Sequence, residues 1–210
     1  ATTDGGAILT DADATLVANS TIQGNSAGDE GGGIYKARDS ITVRDSEVVE
    51  NVSGDDGGGL YSSHDDSKIL RSAFIGNSAS GNGGAVSVHG ANVVDELIVL
   101  NSTFSANTAS SGGALDVGIN NPAWLGNTTL VDNLATAAGQ ADDIESSSAL
   151  VTITLSNSIL THPSIGGVNP ECGNAGAAVT MDGANNLIDT GASCLGSAAG
   201  FRIGAITTGT

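Results

Sequence analysis

Large rings and cations are scarce in this 210-residue chain: aromatics make up 3%, and Lys plus Arg number 6. The first scarcity excludes a core built on Phe, Tyr and Trp. The second makes nucleic acid a poor partner, because phosphate contacts need a basic surface. An anionic membrane surface is disfavoured for the same reason. No apolar run approaches 18 residues, which excludes a membrane-spanning helix within these residues. There are two cysteines, Cys172 and Cys194, at a spacing that matches no zinc pattern. In an oxidising compartment they form one local bridge; in a reducing one they are two free thiols. Ala1-Thr2-Thr3 shows neither a charged n-region nor an apolar h-region, so a signal segment is either absent or already removed.

Glycine and acid are abundant, with 31 Gly, 23 Asp plus Glu and a net charge of −17. Apolar residues reach 39%, mostly aliphatic, too many for plain disorder. The acidity fits a solvated surface, cation binding or a salty environment.

These residues are arranged in repeats. Gly5-Gly6-Ala7-Ile8 returns as Gly31-Gly32-Gly33-Ile34, Gly57-Gly58-Gly59-Leu60, Gly83-Gly84-Ala85-Val86 and Gly112-Gly113-Ala114-Leu115. A degenerate copy, Asp142-Asp143-Ile144, follows. A second motif runs in phase: Asn19 to Asn25, Asp45 to Asn51, Arg71 to Asn77, Asn101 to Asn107 and Asn127 to Asn133, with Pro163 ending the last copy. Between these marks the apolar pattern has period two. Three short strands in about 26 residues, with no helical periodicity, describe one coil of a solenoid.

The expected fold is therefore all-β, a right-handed parallel β-helix of six to seven coils with three short strands per coil. Residues 1–160 hold the coils; residues 161–210 hold the last coil and a C-terminal cap, where a Cys172–Cys194 bridge is expected to close a loop of about 20 residues. Glycines mark turns where φ > 0 is favoured. Asn25, Asn51, Asn77, Asn107 and Asn133 are expected to stack as a ladder, each amide bonding the next coil. Insertions near His89 to Glu96 and at Asn120-Asn121-Pro122 form loops on one face.

The pairing of Phe74-Ile75-Gly76-Asn77 with Gly83-Gly84-Ala85-Val86, and of Phe104-Ser105-Ala106-Asn107 with Gly112-Gly113-Ala114-Leu115, resembles the repeat of chlamydial polymorphic outer-membrane proteins and their bacterial and archaeal relatives. Ile22, Val48 and Leu130 stand where that repeat carries Phe. The C-terminal run through Cys172, Asn185-Asn186-Leu187-Ile188 and Cys194 is similar to the closing segment of secreted β-helix proteins. The resemblance implies an extracellular or cell-surface location and roles in adhesion, display or carbohydrate processing. It transfers no catalytic residue.

On that basis the expected function is structural or adhesin-like, without catalysis, toward a host or cell-surface glycan or protein. Two readings of the coil that begins at Gly5 compete: the chain is a piece of a longer surface protein, or its bare first coil stacks on another copy, coil on coil and end to end, into filaments. Asp4, Glu30 and Asp56, with Asp29 and Asp55, form an acidic column that a calcium ion would relieve. A second column reads Asp13, Asp39 and Asp65. Tyr35, Tyr61 and Trp124 are candidate contacts for a ligand or partner. A polysaccharide lyase or glycosidase is the competing reading, using Asp55 with Asp56 or Asp65 with Asp66. His64, His89 and His162 form no ligand cluster by spacing. The outward columns are too broken by charge and bulk for the flat Thr array of an ice-binding face. Asn-x-Ser/Thr triplets, the pattern of a glycosylation acceptor, occur at Asn19, Asn51, Asn101 and Asn127, and the repeat generates such triplets by itself.

Overall fold

In the computed structural model the chain is a parallel β-solenoid without helices among the described residues, which are 1–64, 66–90, 96–118, 122–146, 152–161, 169–174, 180–182, 185–188 and 201–203. One turn reads Ile34–Lys36, Ile41–Arg44, Glu47–Val49 and Val52–Ser53. Each strand pairs in parallel with its counterpart one turn on, so Ile8 lies against Ile34, Ile34 against Leu60, and Val86 against Leu115. The first and second sheets are seven strands deep, the third eight and the fourth five.

Four strand columns replace the three expected per coil. The extra column consists of two-residue strands, Ser26–Ala27, Val52–Ser53, Ser78–Ala79, Thr108–Ala109 and Leu134–Ala135. Two residues cannot display a period-two pattern, so this column reads as turn in the sequence. Strand Cys172–Asn174 extends the first sheet, and Thr180–Asp182 the second. Cys172 is fully buried against Ile144; Cys194 lies outside the described residues.

Corners are made by left-handed residues. Asn19, Asp45, Arg71, Asn101, Asn127, Asn157 and Asn185 have φ of 49, 51, 48, 53, 51, 50 and 59°, and all stand where the second sheet passes to the third. Short polar side chains tolerate this region best, which accounts for the Asn-rich column. Gly31 shows why the turn before the first sheet needs glycine: its φ is +67°, and an added Cβ would stand 2.4 Å from the Ile34 carbonyl oxygen.

The interior is a thin aliphatic stack with two stacked rings, Phe74 and Phe104, whose centroids are 5.3 Å apart at 14°. A Cβ at Gly59 would meet Phe74 Cδ1 at 3.0 Å, so the missing side chain leaves room for the ring. Lys36 is also inside. It is fully buried at the position held by Ser62 and Val88 in the next turns, and its Nζ donates to the carbonyls of Ala12 and Asp13 and to Thr15 Oγ1. Removing one ring opens a cavity in a core with no second layer to collapse into it. Phe104→Ala is expected to cost about 3–5 kcal/mol in urea unfolding, and a loss under about 1 kcal/mol would contradict this packing.

Candidate binding face on the first sheet

The glycine turn folds the residue four places before each first-sheet anchor alongside that sheet's outward face. Asp4, Glu30 and Asp56 occupy this position in successive turns. Asp4, Asp29 and Glu30 bring carboxylate oxygens within 4.8 Å of one another. Burial, then Asp29, Asp4, Asp55 and Asp56, push the Glu30 carboxyl above its ordinary value. Asp55 and Asp56 continue the column on the next turn.

The outward face itself carries Leu9, Tyr35, Tyr61, Ser87, Asp116 and Glu145 at paired positions. His89, just beyond strand Val86–Val88, reaches over this face. Its Nε2 lies 2.8 Å from Asp116 Oδ2 and 3.7 Å from Asp56 Oδ2. Ser87 Oγ donates to the same Asp116 oxygen at 3.2 Å. Asp56 Oδ1 accepts the Asn82 backbone N–H at 2.6 Å. Burial raises the Asp56 carboxyl above its ordinary value, and the Asn82 bond works against that. For His89, burial disfavours the charged ring, but the bond to Asp116 and the charges of Asp116, Asp56 and Glu30 prevail and raise its pKa. The ring thereby stands between two acids that favour its protonated form.

Tyr35, Tyr61 and His89 form one continuous stack. Tyr35 and Tyr61 are 5.4 Å apart at 9°, and Tyr61 and His89 are 5.7 Å apart at 23°. The ring faces are turned toward each other along the solenoid axis. A sugar platform needs an open ring face, and this stack presents mainly edges. Trp124 sits apart, on the second sheet between Ile98 and Thr154, and is 51% exposed. In the second acidic column Arg38 pairs with Asp11 at 3.3 Å, and Lys68 lies 3.9 Å from Asp66. His64 Nδ1 contacts the Ala37 carbonyl at 3.0 Å. Asp65, His162, and residues 91–95 and 119–121 of the two insertions lie outside the described residues.

The asparagines run through the interior of the turn. Asn25 Nδ2 donates to Asn51 Oδ1 at 2.9 Å, Asn51 to Asn77 at 3.0 Å, Asn77 to Asn107 at 3.0 Å and Asn107 to Asn133 at 2.9 Å. Each Oδ1 also accepts the backbone N–H of the preceding rung, as Asn77 Oδ1 does from Asn51 at 3.1 Å. Asn133 donates to Asp143 Oδ1 at 2.8 Å, so a carboxyl closes the ladder where Pro163 replaces the next asparagine. A second ladder lies at the preceding corner. Ser46 Oγ accepts the Ser20 N–H at 3.1 Å, Ser72 Oγ that of Ser46 at 3.2 Å, and Ser102 Oγ that of Ser72 at 3.2 Å. The serine that follows Asn19, Asp45, Arg71, Asn101 and Asn157 is its visible signature, with Thr128 and Asn186 at the other two corners. Asp116 and His89 were harder to find, because 27 residues separate them in sequence and only one turn in space.

Asp143 is fully buried against Glu171, and burial followed by the Glu171 charge raises it well above its ordinary value. The folded pair therefore keeps a proton that the unfolded chain releases. This contribution to stability is complete below the unfolded pKa and is lost as pH rises through the folded pair's titration. Asp143→Asn keeps an acceptor for Asn133 and removes one ionising group. It is expected to raise the Tm at about pH 8 and flatten its dependence on pH; an unchanged slope would contradict the shared proton.

Residues 19–36 and 71–89 match the Chlamydia polymorphic membrane protein repeat. Both stretches run from the left-handed corner through the ladder asparagine and the glycine turn to the first sheet. No curated protein and no solved structure matches the chain. Among the described residues no helix is long and apolar enough to cross a membrane.

Proposed function

We propose that this chain, a carrier of polymorphic-membrane-protein-type repeats, is a non-catalytic display module on the bacterial cell surface whose acidic first sheet makes adhesive contacts. The repeat match supports the surface location. The observation that carries the contact face is the column of Asp4, Glu30 and Asp56 at strand spacing, flanked by Asp29 and Asp55. Carboxylates stacked in one line complement a row of cations on a partner. They do not flank a scissile bond from two sides, as the acid and base of a glycosidase must. The edge-on stack of Tyr35, Tyr61 and His89 favours a basic protein surface over a stacked sugar. Calcium at Asp4, Asp29 and Glu30 would bridge the first two coils, since hard cations take several carboxylate oxygens.

The reading is tested by coating beads with the chain and measuring adhesion to cells. Asp29→Asn combined with Asp55→Asn is expected to reduce adhesion and weaken its salt dependence. Adhesion unaffected by these changes, or turnover of uronate polymers that Asp55→Ala abolishes, would favour the enzyme instead. Particles joined end to end under negative stain would identify assembly as the mode of display. Calcium is tested separately by thermal melts. At a concentration 100-fold above Kd it is expected to add about 2.7 kcal/mol of stability, which EDTA removes. A midpoint indifferent to EDTA would exclude the ion.

A further inference from the structure

The corner between the second and third sheets carries a pattern that the fold does not require. Asn19, Asn101 and Asn127 stand on it, each left-handed and exposed. Each is followed two residues later by a threonine, Thr21, Thr103 and Thr129, that opens a third-sheet strand. In the two later triplets the middle residue is buried, since Ser102 Oγ accepts the Ser72 N–H and Thr128 is 1% exposed, whereas Ser20 in the first coil is exposed and its Oγ donates to the Ala18 carbonyl. The flanking Asn and Thr therefore face outward together. The corner itself is satisfied by Asp45 and Arg71 in other coils, and the threonine column by Glu47, Ala73 and Ile159. Threonine appears in this column only where asparagine holds the corner. The left-handed backbone favours asparagine at the corner, and Asn157 and Asn185 hold it with Ile159 and Leu187 in the threonine column; where Thr does follow, an Asn amide with a hydroxyl two residues on is what transfer of an oligosaccharide to nitrogen needs.

We propose that this edge is an N-glycan acceptor edge, modified at Asn19 and Asn101. The donor class is an oligosaccharide carried on a polyprenyl diphosphate and delivered by a membrane transferase. The amide nitrogen bonds to the anomeric carbon, the carbon–oxygen bond to the diphosphate breaks, the polyprenyl diphosphate leaves and the amide releases one proton. Geometry ranks the four triplets. Asn51 is fully buried with both amide protons donated, to Asn77 Oδ1 and the Ile22 carbonyl, so its triplet is silent. Asn127 Nδ2 donates to Asn101 Oδ1 at 3.0 Å, which leaves the nitrogen of Asn101 as the open acceptor of that neighbouring pair. One strand spacing, about 4.8 Å, leaves no room for glycans on both. Asn19 and Asn101 stand three coils apart on a groove of about 690 Å³ lined by Thr21, Asp45, Glu47 and Arg71, whose paired charges offer hydrogen bonds to sugar hydroxyls.

Peptide mapping by mass spectrometry of the protein recovered from the cells that make it tests this. The expected result is glycopeptides at Asn19 and Asn101, an unmodified Asn51, and modification of Asn127 only in an Asn101→Gln variant. Thr103→Ala, which places at this position the residue found at Ala73, is expected to lose the Asn101 glycan without a change in Tm. Unmodified Asn19 and Asn101, a glycan on Asn51, or retention of the Asn101 glycan in Thr103→Ala would each overturn the proposal.

Discussion

The fold depends on how one turn is locked to the next where no strand ladder can do it. At the corners the backbone leaves the sheets, and its N–H groups would be buried without partners at a cost of about 1–3 kcal/mol each. Asn51 shows the solution. Its Oδ1 accepts both the backbone N–H and the side-chain N–H of Asn25, and its Nδ2 donates to Asn77 Oδ1 and the Ile22 carbonyl. All four bonding sites of the amide are used. The serine ladder does the same one corner earlier with a shorter side chain. Together they hold the turns between Asn25 and Asn133 in one register, and that register makes columns of side chains meaningful.

Register then produces chemistry at a distance. An outward position repeated each turn puts Tyr35 on Tyr61 and sets the acids of the glycine turn at strand spacing. Repulsion along such a column is relieved in two ways. Toward coil four His89 stands between Asp56 and Asp116, which favour its protonated form. Toward coil one the carboxylates of Asp4, Asp29 and Glu30 lie within 4.8 Å of one another, and burial with the neighbouring charges raises the Glu30 carboxyl above its ordinary value. At Asp143, fully buried against Glu171, burial and the neighbouring charge favour the protonated carboxyl.

Most of the fold was legible because a narrow coil permits few residues at each place. The Gly-Gly runs mark a turn that a Cβ would block, the final Asn of each motif marks the ladder, and Ile8, Ile34 and Leu60 mark one sheet. The two-residue fourth column was not legible, since alternation needs at least three residues. Less of the candidate face could be read. The acids and tyrosines recur at the basic period, but His89 and Asp116 belong to turns lengthened by insertion, so counting by 26 misses their contact. Lys36 was hidden because its inward position is set by a loop carbonyl cluster that follows no repeat.

The most direct measurement is hydrogen exchange of the asparagine side-chain amides by NMR. If the ladder locks the turns, the Nδ2 protons of Asn51, Asn77 and Asn107 will exchange as slowly as the backbone amides of Ile69 and Val99, because both are released only by unfolding. Those of exposed Asn19 will exchange at the rate of an open chain. Rapid exchange at Asn77 with protected backbone neighbours would show that the coils hold together without the ladder and would contradict the account.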